Sequence, residues 1–452
     1  MVDPSIASDV PVTQILSTWI VAANPCSERA ITLDWARHAL LDWIAGTIAG
    51  ADEPLVRMLI DEYAAPESGP CSVLGTGLRV RPLDAALING AAGHALDYDD
   101  ATARMMGHPS AAVIPAALAM AQVERCAGRA LLESIVIGHE VESRVGDMIL
   151  PGHYLHGFHT TGTIGTLGAA AAAARLKRLD DEQTRHALGL AATQAAGLKS
   201  MFGTMAKPFH AGKAAMSGLM AVQLAARGFT AATDAIECAQ GFARTLAPAQ
   251  SPFDASMDMA SGLAIEATLF KYHAACYFTH SAIEAARRLR DIHGVKLDAM
   301  ESVRIHVDRT LRGVCDIAEP STGLQLKFSI QHLVLLALDG VDTAAPDLYC
   351  DATACDPRLA AARRRVTLAF TEGGDSAAAS VELTTRRGQT LTQRANVATP
   401  AQDLEAQWNR LLGKARAIAG PALGAARFKQ LVDAIRMLDD AASLDPLQAA
   451  IQ

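Results

Sequence analysis

The chain has 452 residues, 50% of them apolar, 19% charged and only 5% aromatic, with a formal charge of −8. That length exceeds one small core and predicts two domains, and the composition excludes a disordered chain. No polybasic run is present, which argues against nucleic acid, and no apolar run reaches the ~18 residues of a membrane span.

The first residues, MVDPSIASDV, lack the basic and apolar regions of a signal peptide, so cytoplasm is the expected location. From residue 15 to about 244 the signals are helical. Apolar residues recur at i, i+4 and i+8 from Trp35 to Gly46, and residues 110–123 and 166–176 read the same way. Six consecutive alanines, Ala169 to Ala174, suit a helix that others approach closely.

Polar side chains gather between these helices. GHALDYDDA places His94 one turn before Asp97, Asp99 and Asp100. Three near carboxylates suit Mg²⁺ or, alternatively, an aspartate that orients a histidine for acid–base work. No second acidic motif of the kind found in Mg²⁺-dependent helical enzymes follows downstream. His108 precedes Pro109 at an expected helix start. PGHYLHGFHTTGT then carries His153, Tyr154, His156 and His159, where Gly152 and Gly157 oppose a continuous metal-binding helix face.

MAKPFHAGKAAMSG sets Lys207, His210 and Lys213 at three-residue spacing. Pro208 disfavours helical backbone at Lys207 and suits a first helical position. The expectation is a helix that begins at Pro208, with spare N–H groups and the dipole's positive end beside Lys207, ready for a carboxylate. FKYHAACYFTHSAI gathers Lys271, His273, Cys276 and His280.

The texture changes near Met300. Period-two alternation predicts strands over 302–308 and 365–371, and a hairpin whose turn is Arg386-Arg-Gly-Gln. Helices are expected over 279–292, 325–338, 402–412 and 425–444. The predicted organisation is a large helical domain, 1–268 plus 400–452, and a smaller α+β domain over 269–399. The eight cysteines form no CxxC and read as reduced thiols, which leaves structural zinc without a ligand set. No GxGxxG, Walker or GxSxG pattern occurs.

Four segments, LDYDDA with GHPS, HGFHTTGTIGTLGAAAAAA, AKPFHAGKAA and FKYHAACYFTHSAI, resemble the MmgE/PrpD family in order and over nearly the whole chain. That family includes 2-methylcitrate dehydratase, cis-aconitate decarboxylase and iminodisuccinate epimerase. The resemblance implies a mainly α fold with a large helical domain, an α+β lid and a homodimer. It also implies a small di- or tricarboxylate substrate and no metal or organic cofactor. It makes Asp97, His108, His159 and Lys207 active-site groups, with His94, His210, Lys271, Cys276 and His280 as substrate contacts. Two reactions fit: a lyase reaction by dehydration or decarboxylation, or epimerisation with Tyr154 and Lys207 as opposed bases. Ala101, Cys276 and His332 depart from the decarboxylase pattern, which carries threonine, histidine and commonly tyrosine there.

Overall fold

The computed structural model describes residues 10–64, 69–247, 249, 251–259 and 262–452. It is mainly helical with a small sheet. The chain divides into two compact units. One runs to Phe270 and resumes at Asp403, and the other is Lys271–Gln402.

The first unit is built around the helix Thr160–Lys177. Its glycines and alanines are buried on nearly every side, against the helices Pro109–Val123, Gly128–Ile149 and Ala206–Ala225. A helix that is apolar all round belongs in a core. Absent side chains set the close crossings. A Cβ on Gly212 would meet the Leu87 carbonyl oxygen at 2.1 Å, and one on Gly218 would meet the Ala170 nitrogen at 2.7 Å. These contacts fix the helix Ala206–Ala225 against Pro82–Ala95 and Thr160–Lys177.

The helix Leu404–Arg436 lies on Ile31–Gly50. Lys414 Nζ stands 2.6 Å from Asp42 Oδ1, both side chains buried, and Gln407 bonds His38 at 2.9 Å. Gly424, at φ 71°, breaks this helix; its first arm runs past the expected end at 412 to the break, and its second ends at Arg436 rather than continuing to 444 as expected. A two-residue ribbon, Cys71–Ser72 against Arg79–Val80, is too short to show a period in the sequence.

The second unit carries a four-stranded sheet in the order Val366–Thr371, Met300–Asp308, Ala378–Thr385, Thr390–Asn396. The first pair is parallel and the others antiparallel. Val303, Ile305, Val381 and Leu383 are buried on alternate positions, as the sequence alternation requires. The helix His280–His293 packs on the last two strands.

The helix expected over 325–338 is broken into Gly323–Leu326 and Ile330–Asp339. The carbonyls of Lys327 and Phe328 accept from Cys276 and Ile317 at 3.0 and 3.1 Å instead of from a following turn. Tertiary pairing outweighs the helical periodicity there.

Candidate active site

Three aspartates follow the helix Pro82–Ala95, and the chain sends each in a different direction. Asp97 takes a left-handed φ of 51°, which aspartate tolerates better than most residues. Its side chain is 57% exposed, with Oδ1 3.0 Å from Lys207 Nζ and 3.7 Å from His108 Nε2. Asp99 is buried, with its two oxygens 3.0 and 2.8 Å from His94 Nδ1. Asp100 turns to the next helix start, accepting from the Ser110 N–H at 3.2 Å and the Ser110 hydroxyl at 2.6 Å. Burial chiefly pushes the Asp100 carboxyl up to about 8.

His108 is the N-cap residue of Pro109–Val123. Its N–H donates to Thr161 Oγ1 at 3.1 Å. Its Nδ1 lies 2.8 Å from the Asp100 carbonyl oxygen. A carbonyl only accepts, so Nδ1 carries the proton and Nε2 is left to face Asp97.

His159 caps Thr160–Lys177 in the same way, and its N–H donates to the Gly197 carbonyl at 3.0 Å. Its Nδ1 is 3.1 Å from His210 Nδ1, so one ring donates and the other accepts. Burial, then the neighbouring His94, Lys207 and His210, pushes His159 down to about 2, against the opposing charge of Asp97. His210 is lowered as well, by burial and then by Lys213 and Lys207. Both rings are therefore neutral hydrogen-bonding groups near pH 7. A bound anion would raise their basicity.

Lys207 does not precede its helix. The helix runs Ala206–Ala225, so Lys207 sits in its first turn and Pro208 follows it there. Proline is tolerated because first-turn N–H groups need no partner within the helix. The expected spare donors are already used: Ala206 N–H reaches Thr204 Oγ1 at 3.2 Å and Lys207 N–H reaches the Thr204 carbonyl at 3.1 Å. The local positive charge is thus the Lys207 ammonium rather than open backbone. Phe202 stands beside it, its ring 5.7 Å from Lys207 Nζ and edge-on to His159 at 5.0 Å. The sequence gives no signal for Phe202, which comes from a turn lacking any period. Lys213 is directed elsewhere, to the Gln194 carbonyl.

Tyr154 lies on the short helix Gly152–His156, which Gly157 ends at φ 115°. Lys199 Nζ sits 3.7 Å over its ring and bonds its carbonyl at 3.1 Å. Burial raises the Tyr154 hydroxyl above its ordinary value, away from a base that works near neutrality. His153 is held by the Leu246 carbonyl and Thr163 Oγ1, both at 2.8 Å, and so contributes no metal ligand.

The second unit sets His273 edge-on to His280, ring centroids 4.9 Å apart, with Lys271 near enough to act on the His280 imidazole, whereas the Cys276 thiol is directed to Cys315. His273 spans Thr343 Oγ1 at 2.7 Å and Glu284 Oε1 at 2.9 Å. His280 Nε2 is 3.1 Å from the Ala275 carbonyl, and burial holds this imidazole well below its usual range. Cys276 is half-buried and Lys271 buried. His332 is buried against Arg363 at 2.9 Å and lowered to about 4, mainly by burial. All eight cysteines are free thiols.

His94, Asp97, Asp99 and His108 each offer a ligand atom, all within 4.8 Å of one another, a set able to hold a divalent cation. The Lys207 ammonium already supplies positive charge to Asp97 and competes with such an ion. The alternative use of the same atoms is proton transfer. Among the described residues, no helix is long and apolar enough to cross a membrane.

Comparison with known proteins assigns two family domains to the chain. Residues 14–253 match the MmgE/PrpD N-terminal domain and residues 273–440 the MmgE/PrpD C-terminal domain. A cis-aconitate decarboxylase-like protein of Aspergillus oryzae is 30% identical over 298 residues, 62% of this chain and 61% of its own length, so the chain spans less than two thirds of that relative. The cis-aconitate decarboxylase of Aspergillus terreus is 26% identical over 445 residues, covering 92% of this chain and 90% of the relative. That of Mus musculus is 26% identical over 378 residues, covering 80% and 77%.

Proposed function

The chain belongs to the MmgE/PrpD family, and from that premise we propose that it is a cofactor-independent lyase acting on a small di- or tricarboxylic acid such as cis-aconitate or 2-methylcitrate. The observation that carries this reading is the meeting of Lys207 Nζ, Asp97 Oδ1 and His108 Nε2 within 3.0 and 3.7 Å. Several relatives are named cis-aconitate decarboxylases, which favours decarboxylation over dehydration.

The chemistry asks for little else. Negative charge builds on a carbon next to a carboxylate and spreads onto its oxygens. The Lys207 ammonium neutralises it, in a partly buried place where such a charge counts for more than in water. In decarboxylation the C–C bond breaks, CO₂ leaves, and the carbanion takes a proton, which His108 Nε2 supplies in its protonated form. In dehydration His108 Nε2 first accepts the proton next to the carboxylate, and the hydroxyl then leaves with a proton as water. In both, Asp97 Oδ1 faces the working Nε2 at 3.7 Å. His159 and His210 hold the acid by hydrogen bonds as neutral rings.

Epimerisation through Tyr154 and Lys207 draws less support, because the Tyr154 hydroxyl is pushed up rather than down. Incubation with cis-aconitate, citrate, 2-methylcitrate and iminodisuccinate, each followed by NMR, tests the reading. Loss of CO₂ or water from one of the first three supports it, and turnover of iminodisuccinate alone, with inversion, overturns it. A homodimer is expected from the family resemblance, with about twice the chain mass by light scattering.

A further inference from the structure

We propose that Asp99, rather than Asp97, is the positioning residue of the imidazole array, holding His94 and His108 in the ring orientation and proton placement that leave His108 Nε2 as the working atom. The inference rests on the lyase reading for its kinetic part only.

Asp99 is a short side chain with 1% of its surface exposed, and two histidines converge on it. Its oxygens lie 3.0 and 2.8 Å from His94 Nδ1, and Oδ2 lies 3.4 Å from His108 Nδ1. A carboxylate accepts hydrogen bonds and offers none, so both contacts favour the proton on Nδ1. For His108 the Asp100 carbonyl at 2.8 Å asks for the same proton placement. The two acceptors together fix the ring plane as well as the tautomer.

The influence of Asp99 reaches further through the rings. His94 packs 4.6 Å from His108 and stacks on His159 at 5.8 Å with 22° between planes. A turn of His94 would move the surface against which His159 rests. The other two aspartates are committed elsewhere: Asp97 is exposed beside Lys207, and both oxygens of Asp100 are held by Ser110. A buried carboxylate that orients an imidazole and favours its charged form is a recurring arrangement in acid–base sites.

Asp99→Asn keeps the size but not the chemistry. Asparagine has one acceptor oxygen, and its NH₂ is set against an N–H donor, so one of the two rings must turn or change tautomer. The expected result is a fall in kcat of about 10²-fold or more, with KM changed by less than about threefold. The Nδ1 proton placement of His94 and His108 is the readout that a merely structural residue would leave unchanged.

The substrate-free test is ¹⁵N NMR of the histidines at pH 8. In the wild-type protein His94 and His108 should both carry the proton on Nδ1, and in Asp99→Asn at least one ring should depart from that state. A wild-type His108 or His94 protonated on Nε2 overturns the proposal, even if the variant does not fold. So does a folded variant with unchanged imidazole signals and unchanged kcat. Because the NMR readout needs no substrate, failure of the lyase reading alone would leave the tautomer result standing.

Discussion

Lys207 Nζ stands 3.0 Å from Asp97 Oδ1, with the lysine side chain 16% exposed and the aspartate far more open. A pair this accessible contributes only about 0–1 kcal/mol to folding. Its weight lies in the charge it presents to a bound acid. Lys207→Ala should therefore lower kcat/KM by about 10²–10³-fold. Stability by urea denaturation should stay within about 1 kcal/mol of wild type. Activity that falls only in step with stability would remove Lys207 from the chemistry.

His159 is held neutral, at about 2, chiefly by burial, with the neighbouring His94, Lys207 and His210 acting in the same direction. It contributes no limb to the kcat/KM profile of the free enzyme between pH 5 and pH 9. His159→Ala should depress the rate at every pH and leave the shape of the profile unchanged. A limb that vanishes in the variant would assign the titration to His159 instead.

The Asp100 carboxyl, raised to about 8, links folding to pH. Between about pH 4 and pH 8 the folded state holds a proton that the unfolded state has released. This contribution to stability is complete below about pH 4 and is lost as pH rises through about 8. Asp100→Asn removes the dependence while keeping an acceptor for Ser110. The difference in melting temperature, variant minus wild type, should grow from pH 5 to pH 9; a constant difference would contradict the raised value.

Gly212 lets two helices touch, and an added methyl would meet the Leu87 carbonyl oxygen at 2.1 Å. Backbone cannot move aside cheaply. Gly212→Ala should cost about 1–3 kcal/mol of stability. It should also lower activity in folded protein, because the same helix carries Lys207 and His210. Urea denaturation, with activity measured well below the transition, separates the two effects.

The proposed chemistry runs without metal. Dialysis against EDTA should leave turnover unchanged, and added Zn²⁺ should not raise it. Activity that disappears with the chelator and returns with a divalent ion would give the four-residue cluster around Asp99 to a cation instead.

Much of this arrangement is legible in the amino-acid order, and the misses have physical causes. The histidines that precede or open helices, His108, His159 and His280, stand out because a polar ring at a cap interrupts an apolar period. The hairpin ending in Asn396 is equally plain from its alternation. The start of the Lys207 helix is not, because Thr204 captures two N–H groups that the X-Pro rule leaves open. Nor does the run DYDD rank its aspartates. Their separate partners, Lys207, His94 with His108, and Ser110, come from three different segments, and only the folded backbone brings them there. The helix broken near Phe328 fails for the same reason, since its carbonyls are claimed by distant residues.

The proposed reaction builds charge next to a carboxylate held at Lys207 and quenches it with a proton from the enzyme. Turnover of cis-aconitate in D₂O, with products resolved by ¹H and ¹³C NMR, tests it most directly. The expected result is release of CO₂ and one deuterium on the carbon that is protonated, at a rate that collapses in Lys207→Ala. Deuterium exchange into the intact acid without loss of CO₂ or water, or a product rate indifferent to Lys207, would contradict it.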